Sequence, residues 1–187
     1  MNSQIKTYQE ISVEKSEIYK YLFIDKETKE MDEIINECLL ECREQLSFKV
    51  TFDEYNVSIN DNEIDFGFAK TKSNSLVKYI NNREKVVIFV ATIGHKMDRL
   101  IAKYSKLAPS KALVMQAIGT AYIEALCDCF NMEVSNNTRR FSPGYGDLSL
   151  EFQKHIFKVL STDKIGVSLN NSFLMSPSKT VSAIISL

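Results

Sequence analysis

The sequence predicts an α+β fold: a mixed or antiparallel sheet with helices packed against it. Strand-like segments stand near both ends of the chain with helices between them. The run "KVVIFVATIG" (85–94) has the apolar, β-branched character of a central strand buried on both faces. The run "PSKALVMQAIGTAYIEALCDCF" (109–130) is apolar almost all round, the pattern of a helix embedded in a core.

The elements follow in chain order. "EMDEIINECLLECREQL" (30–46) spaces Met31, Ile34, Ile35, Cys38, Leu39 and Cys42 as one face of a helix, with acids at its start and Arg43 near its end. Residues 1–46 are therefore expected to be a helical N-terminal part, and 47–187 the sheet-containing core of a single domain. In "FKVTFDEYNVSINDNEIDF" apolar and polar residues alternate, with turns expected at Asp53-Glu54 and at Asn60-Asp61-Asn62, giving strands of a meander. A short helix is expected near Ser75 to Asn81, and "HKMDRLIAKYSKL" is a helix after Gly94.

Pro109 suits the first turn of the core helix. Only Gln116, Thr120, Glu124 and Asp128 break its apolar surface, at spacings of four. That stripe is either helix surface reaching solvent, the simpler reading, or the lining of a polar pocket. Beyond it, "DLSLEFQKHIFKVL" is a helix capped by Asp147 or Ser149, and "IGVSL", "SFLM" and "TVSAIISL" are three strand-like pieces.

At 187 residues, 44% hydrophobic and 25% charged, the chain has enough apolar material for one core, and a formal net charge of −1 gives no global attraction to nucleic acid or an anionic membrane. The N-terminus lacks the apolar core of a signal peptide and no apolar run is read as a membrane span, so a cytoplasmic protein is expected. Cys38, Cys42, Cys127 and Cys129 fall within helices and read as reduced, buried small residues rather than zinc ligands. No nucleophilic triad, phosphate-binding glycine loop or carboxylate pair stands out.

The densest local signal is "RRFSPGYGDLSLEFQ" (139–153). It follows two of five arginines with one of three prolines and two of six glycines. Pro143 and Gly144 either simply turn the chain or hold backbone dipoles beside Arg140, whose planar guanidinium suits a carboxylate or phosphate, with the ring of Tyr145 close by.

This stretch resembles the activation domain of cobalamin-dependent methionine synthase, whose motif reads Arg, any residue, Ala or Ser, Pro, Gly, Tyr. Arg140, Ser142, Pro143, Gly144 and Tyr145 meet it. The likeness extends to "IFVATIGHKMDRLIAKYS" and "AIGTAYIEALCD", covering roughly residues 86–187, while the N-terminal third matches in length and helix order. The resemblance implies binding of S-adenosylmethionine, a cobalamin-carrying partner such as methionine synthase or a related corrinoid protein, and an electron donor of flavodoxin type. Together these restore methylcobalamin from cob(II)alamin.

By position, the resemblance gives Arg140 the ligand's carboxylate, the backbone at Ser142 and Gly144 the adenosine or methionyl amine, and Tyr145 the methyl group. Glu124 joins the site through its polar stripe, not the motif, as a carboxylate for the ligand's amino group or for orienting Arg140. Longer relatives continue beyond the position of "TVSAIISL" with a tyrosine pair that helps enclose the ligand, so a weaker site or one completed by a partner is expected. Their N-terminal acidic residue finds only Asp25 and Asp32 as counterparts. Neither His95 nor His155 lies in the Asp-x-His-x-x-Gly loop of a cobalamin carrier, so the cobalamin is expected on a partner protein. The expected function is a reactivation module acting in trans; the alternative is a non-catalytic docking or sensing module for a corrinoid protein.

Overall fold

The two faces of "KVVIFVAT" divide the molecule. In a computed structural model describing residues 3–136 and 139–187, Val87, Phe89 and Ala91 point into one apolar cluster and Val86, Ile88 and Val90 into a second. Period-two alternation sends neighbouring side chains to opposite faces, so a strand apolar at every position from 86 to 91 needs cover on both.

The chain runs β1 (Gln4–Tyr8), α1 (Lys15–Leu22), α2 (Lys29–Arg43) and β2 (Phe48–Asn56), then the short strands β3 (Ser58–Asn60), β4 (Glu63–Asp65) and β5 (Lys70–Lys72). It continues through α3 (Asn74–Ile80), β6 (Lys85–Thr92), α4 (His95–Leu107) and α5 (Pro109–Ser135). Last come α6 (Gln153–Val159), β7 (Ser168–Leu169), β8 (Met175–Ser176) and β9 (Thr180–Ser186). The main sheet has the order β1-β2-β6-β9 with every pair antiparallel.

Helices α1, α2, α4 and α5 cover one face, where Phe130 of α5 packs on Phe89 at 5.0 Å and Phe52 at 4.9 Å between ring centres. Burying a side chain of this size contributes about 1.5–3 kcal/mol. Helices α3 and α6, the turn that leads into α6 and the small β3-β4-β5 meander cover the other face through Ile64, Leu76, Ile80, Phe152 and Ile156.

Three features depart from the sequence reading. The N-terminal part is not purely helical, because Gln4–Tyr8 forms the edge strand β1 on β2. Most of its side chains stay at least partly exposed, so it carries no apolar alternation to betray it. Asp53-Glu54 is not a turn: β2 runs straight through it, paired with β6 from Lys49↔Thr92 to Asn56↔Lys85. A continuous ladder on a central strand outweighs the local turn preference of Asp. The break falls after Asn56, and the second expected turn, at Asn60-Asp61-Asn62, does join β3 to β4.

Helix α5, with 27 residues, continues to Ser135. It includes a window of mean hydropathy 1.3, long and apolar enough by those measures to cross a membrane, contrary to the sequence reading. In the fold Met115, Ile118, Leu126 and Phe130 are buried as α5 packs against α1, α2, α4 and the sheet. Cys38, Cys42 and Cys127 are buried free thiols and Cys129 is half-buried; among the described residues no cluster of three or more metal-ligating side chains occurs.

Candidate functional site

The Arg-Arg-Phe-Ser-Pro-Gly-Tyr segment is laid along the free edge of the main sheet. Phe141 donates its N–H to the Ile184 carbonyl at 2.9 Å and accepts from Ile184 N–H at 2.8 Å, so it stands where a fifth strand would begin. The segment then closes on itself: Tyr145 N–H reaches the Ser142 carbonyl at 3.2 Å and Gly144 N–H the Leu148 carbonyl at 2.9 Å. Gly144 takes φ +93°, a conformation side chains rarely adopt, which explains the glycine.

Its far end is tied to α3. Asp147 accepts the Ser73 hydroxyl at 2.5 Å and the backbone N–H groups of Asn74 and Ser75 at 2.8 and 3.0 Å. These donors, the Ser73 hydroxyl first, hold the Asp147 carboxyl far below its ordinary range. The sequence offered Asp147 or Ser149 as the cap of the following helix. Ser149 caps the short 3-10 turn Leu150–Phe152 that leads into α6, accepting Glu151 N–H at 3.2 Å, and Asp147 serves α3 instead.

Arg140 enters from this loop and its guanidinium meets α5. Nη1 donates to Asp128 at 2.5 Å and Nη2 pairs with Glu124, one helical turn away. The arginine side chain is only 14% exposed. Burial opposes its charge, but the adjacent carboxylates outweigh that and keep it firmly protonated. The C-terminal end of the polar stripe on α5 therefore supplies two carboxylates, one turn apart, that hold the loop's guanidinium.

Between the loop, the start of β9 and α6 lies a cleft of about 620 Å³. Its loop wall is Arg139, Arg140, Phe141, Ser142, Pro143 and Tyr145, with Tyr79 of α3 beside Phe141. Glu124, Met175, Gln153 and the Thr180–Ser182 stretch complete it. Such a volume, mostly apolar with a few convergent polar groups, suits a small organic ligand. Two buried polar atoms on this wall, Gln153 Oε1 and Ser182 Oγ, have no hydrogen-bond partner.

Of the residues expected at the site, Arg140, Ser142, Tyr145 and Glu124 share the cleft. Gly144 does not line it, and its N–H is already donated to Leu148 within the loop. Asp32 bonds Tyr19 at 3.2 Å, and neither it nor Asp25 is on the wall. His95 contacts the Gly166 carbonyl at 2.9 Å and His155 lies against Phe152, both away from the cleft. Sequence reasoning missed Tyr79, Gln153 and Ser182, which periodicity assigns only to helix or strand surfaces.

No protein-family model matches the chain, nor does any curated protein. Among solved structures, a crystal structure of the MetH reactivation domain bound to AdoHcy superposes with a TM-score of 0.71. That match covers 98% of this chain and 78% of the other, at 12% sequence identity. The chain thus has the α+β fold of the MetH reactivation domain, the activation-domain-like fold that the Arg-x-Ser-Pro-Gly-Tyr resemblance leads one to expect.

Proposed function

We propose that the chain binds S-adenosylmethionine in the cleft beside Arg140 and serves as a reactivation module in the cytoplasm. It would support reductive methylation of cob(II)alamin held by a separate cobalamin-dependent methionine synthase or related corrinoid protein, with a flavodoxin-like protein as the electron source. The observation that carries this reading is the charged pair at the cleft: a mostly buried guanidinium beside Glu124, in the loop that matches the family motif. The solved neighbour of the same fold is bound to AdoHcy, the demethylated form of that ligand.

The residues fit the ligand chemically. Arg140 offers planar N–H donors to a carboxylate and Glu124 an acceptor to an ammonium group, the two ends of an amino acid. Tyr145, Tyr79 and Phe141 present aromatic rings, which favour a cationic sulfonium over a neutral thioether. The two unmet buried polar atoms call for a ligand with hydrogen-bonding groups of its own. When bound, the sulfonium supplies the methyl group and leaves as the thioether. The contribution of this chain is positioning, since fixed orientation alone can account for a large part of a barrier.

Calorimetric titration with S-adenosylmethionine tests the reading, with Arg140→Ala as the paired variant. The wild type is expected to bind, and the variant to lose about 2–5 kcal/mol, the cost of removing one partner of a buried charge pair. Absence of binding by the wild type would refute the proposal and leave a docking module. Once binding is shown, methyl transfer to a cob(II)alamin-loaded partner is measured with reductant present.

A further inference from the structure

The two unmet polar atoms identify which part of the ligand the sheet side of the cleft reads. Gln153 is 4% exposed and Ser182 2% exposed, yet Gln153 Oε1 and Ser182 Oγ are both without a partner on the cleft wall. Buried acceptors left unmet destabilise a free protein, and an apolar side chain at either place would remove that cost. Tyr55 Oη is also unmet but stands apart, against Phe68, whereas Gln153 and Ser182 share one cleft, and that pairing points to a ligand that satisfies them.

The chemistry of the wall narrows the class. A carboxamide offers an acceptor and a donor side by side, and its two ends can exchange by rotation. Adenine offers the matching pair, an exocyclic amino group beside a ring nitrogen, and a glutamine carboxamide can engage both at once. Flat apolar cover is at hand in Phe141, Pro143 and Met175. Because Ile184 exchanges both its backbone bonds with Phe141, the backbone groups of Ser182, two residues earlier, face the same outer edge of β9. Ser182 therefore brings a hydroxyl and an edge-strand backbone to the same wall.

We infer that Gln153 is the specificity-determining residue for the adenine of an adenosyl ligand, with Ser182 as a second polar anchor. This rests on the proposed function and deepens it: Arg140 and Glu124 hold the amino-acid end, and Gln153 selects the base.

The test is calorimetric titration of wild type, Gln153→Met and Ser182→Ala with S-adenosylhomocysteine and with its analogue whose purine lacks the 6-amino group. The wild type is expected to prefer the adenine ligand by roughly tenfold, the worth of one good hydrogen bond. Gln153→Met is expected to bind the two ligands alike while melting, unliganded, no lower than wild type, since it removes an unmet acceptor. Ser182→Ala is expected to weaken both ligands and keep the preference. A wild type that binds both equally, or a Gln153→Met that retains the preference, overturns the inference and leaves the proposed function standing. A large fall in the melting temperature of Gln153→Met assigns the residue to the fold and also overturns it. A wild type that binds neither ligand overturns both readings.

Discussion

Arg140 of the loop and Glu124 of α5 are ion-paired at the wall of the cleft, with Asp128 holding the other guanidinium nitrogen at 2.5 Å. The pair joins the densest motif in the sequence to the one polar stripe of the buried helix. It also separates two carboxylates that look equivalent in sequence: Glu124 lines the cleft and Asp128 does not.

Glu124→Gln should therefore lower affinity for S-adenosylmethionine by about tenfold, and Asp128→Asn by no more than about threefold. Both carboxylates are more than a third exposed, so each change should cost the free protein only about 1 kcal/mol or less. Titration calorimetry with urea denaturation separates the two effects, and equal losses of affinity would contradict this geometry.

The tie between Asp147 and α3 makes part of the stability pH-dependent. Its folded pKa is depressed, so the stabilisation is fully present above the ordinary carboxylate value of about 4 and is lost as pH falls below it toward the folded value. Asp147→Asn should melt lower than wild type at pH 7, with a gap that stays constant down to about pH 4–5 and narrows below it. A gap independent of pH from 7 to 2 would count against the tie.

Gly146 packs against the same helix. Its φ is +57°, and a Cβ there would lie 2.6 Å from Ser75 Oγ and 2.7 Å from Ser75 Cβ. Left-handed backbone alone costs a side chain about 1–2 kcal/mol, and the clash adds to it. Gly146→Ala should lose at least about 2 kcal/mol in urea denaturation. An unchanged midpoint would show that the loop can move away from α3 freely.

The thiols should be largely inert in the folded state. Burial pushes Cys38 up to about 11 and Cys42 up to about 12, and raises Cys127 further. Reactivity follows the thiolate, so at pH 8 a disulfide reagent should modify half-buried Cys129 first and the other three only as the protein unfolds. Mass spectrometry of the labelled native protein reads this directly; similar rates at all four would overturn it.

Much of the architecture was legible because burial writes itself into periodicity. A run apolar at every position, such as 86–91, can only sit between two covered faces, and the helix from Pro109 shows its narrow polar stripe at spacings of four. The loop was legible because Pro143, Gly144 and Gly146 are rare in this chain and have few structural uses. Strand β1 was not, since an edge strand with mostly exposed side chains carries no pattern. The straight course of β2 through Asp53-Glu54 was not either, because its cause is the partner strand β6.

The order of residues alone was enough for the class of fold, the order of its major elements and the arginine loop with Glu124 as a candidate partner. Folding in three dimensions was needed to divide the guanidinium between Glu124 and Asp128, to leave Gly144 off the cleft wall, and to bring Tyr79, Gln153 and Ser182 onto it. Those three come from α3, α6 and β9, segments distant in the chain. They meet because Phe141 pairs with Ile184 at the edge of the sheet and Asp147 ties the loop to α3. Contacts of that kind depend on which edge and which helix end are left free after the core has packed, and no local pattern of residues records that.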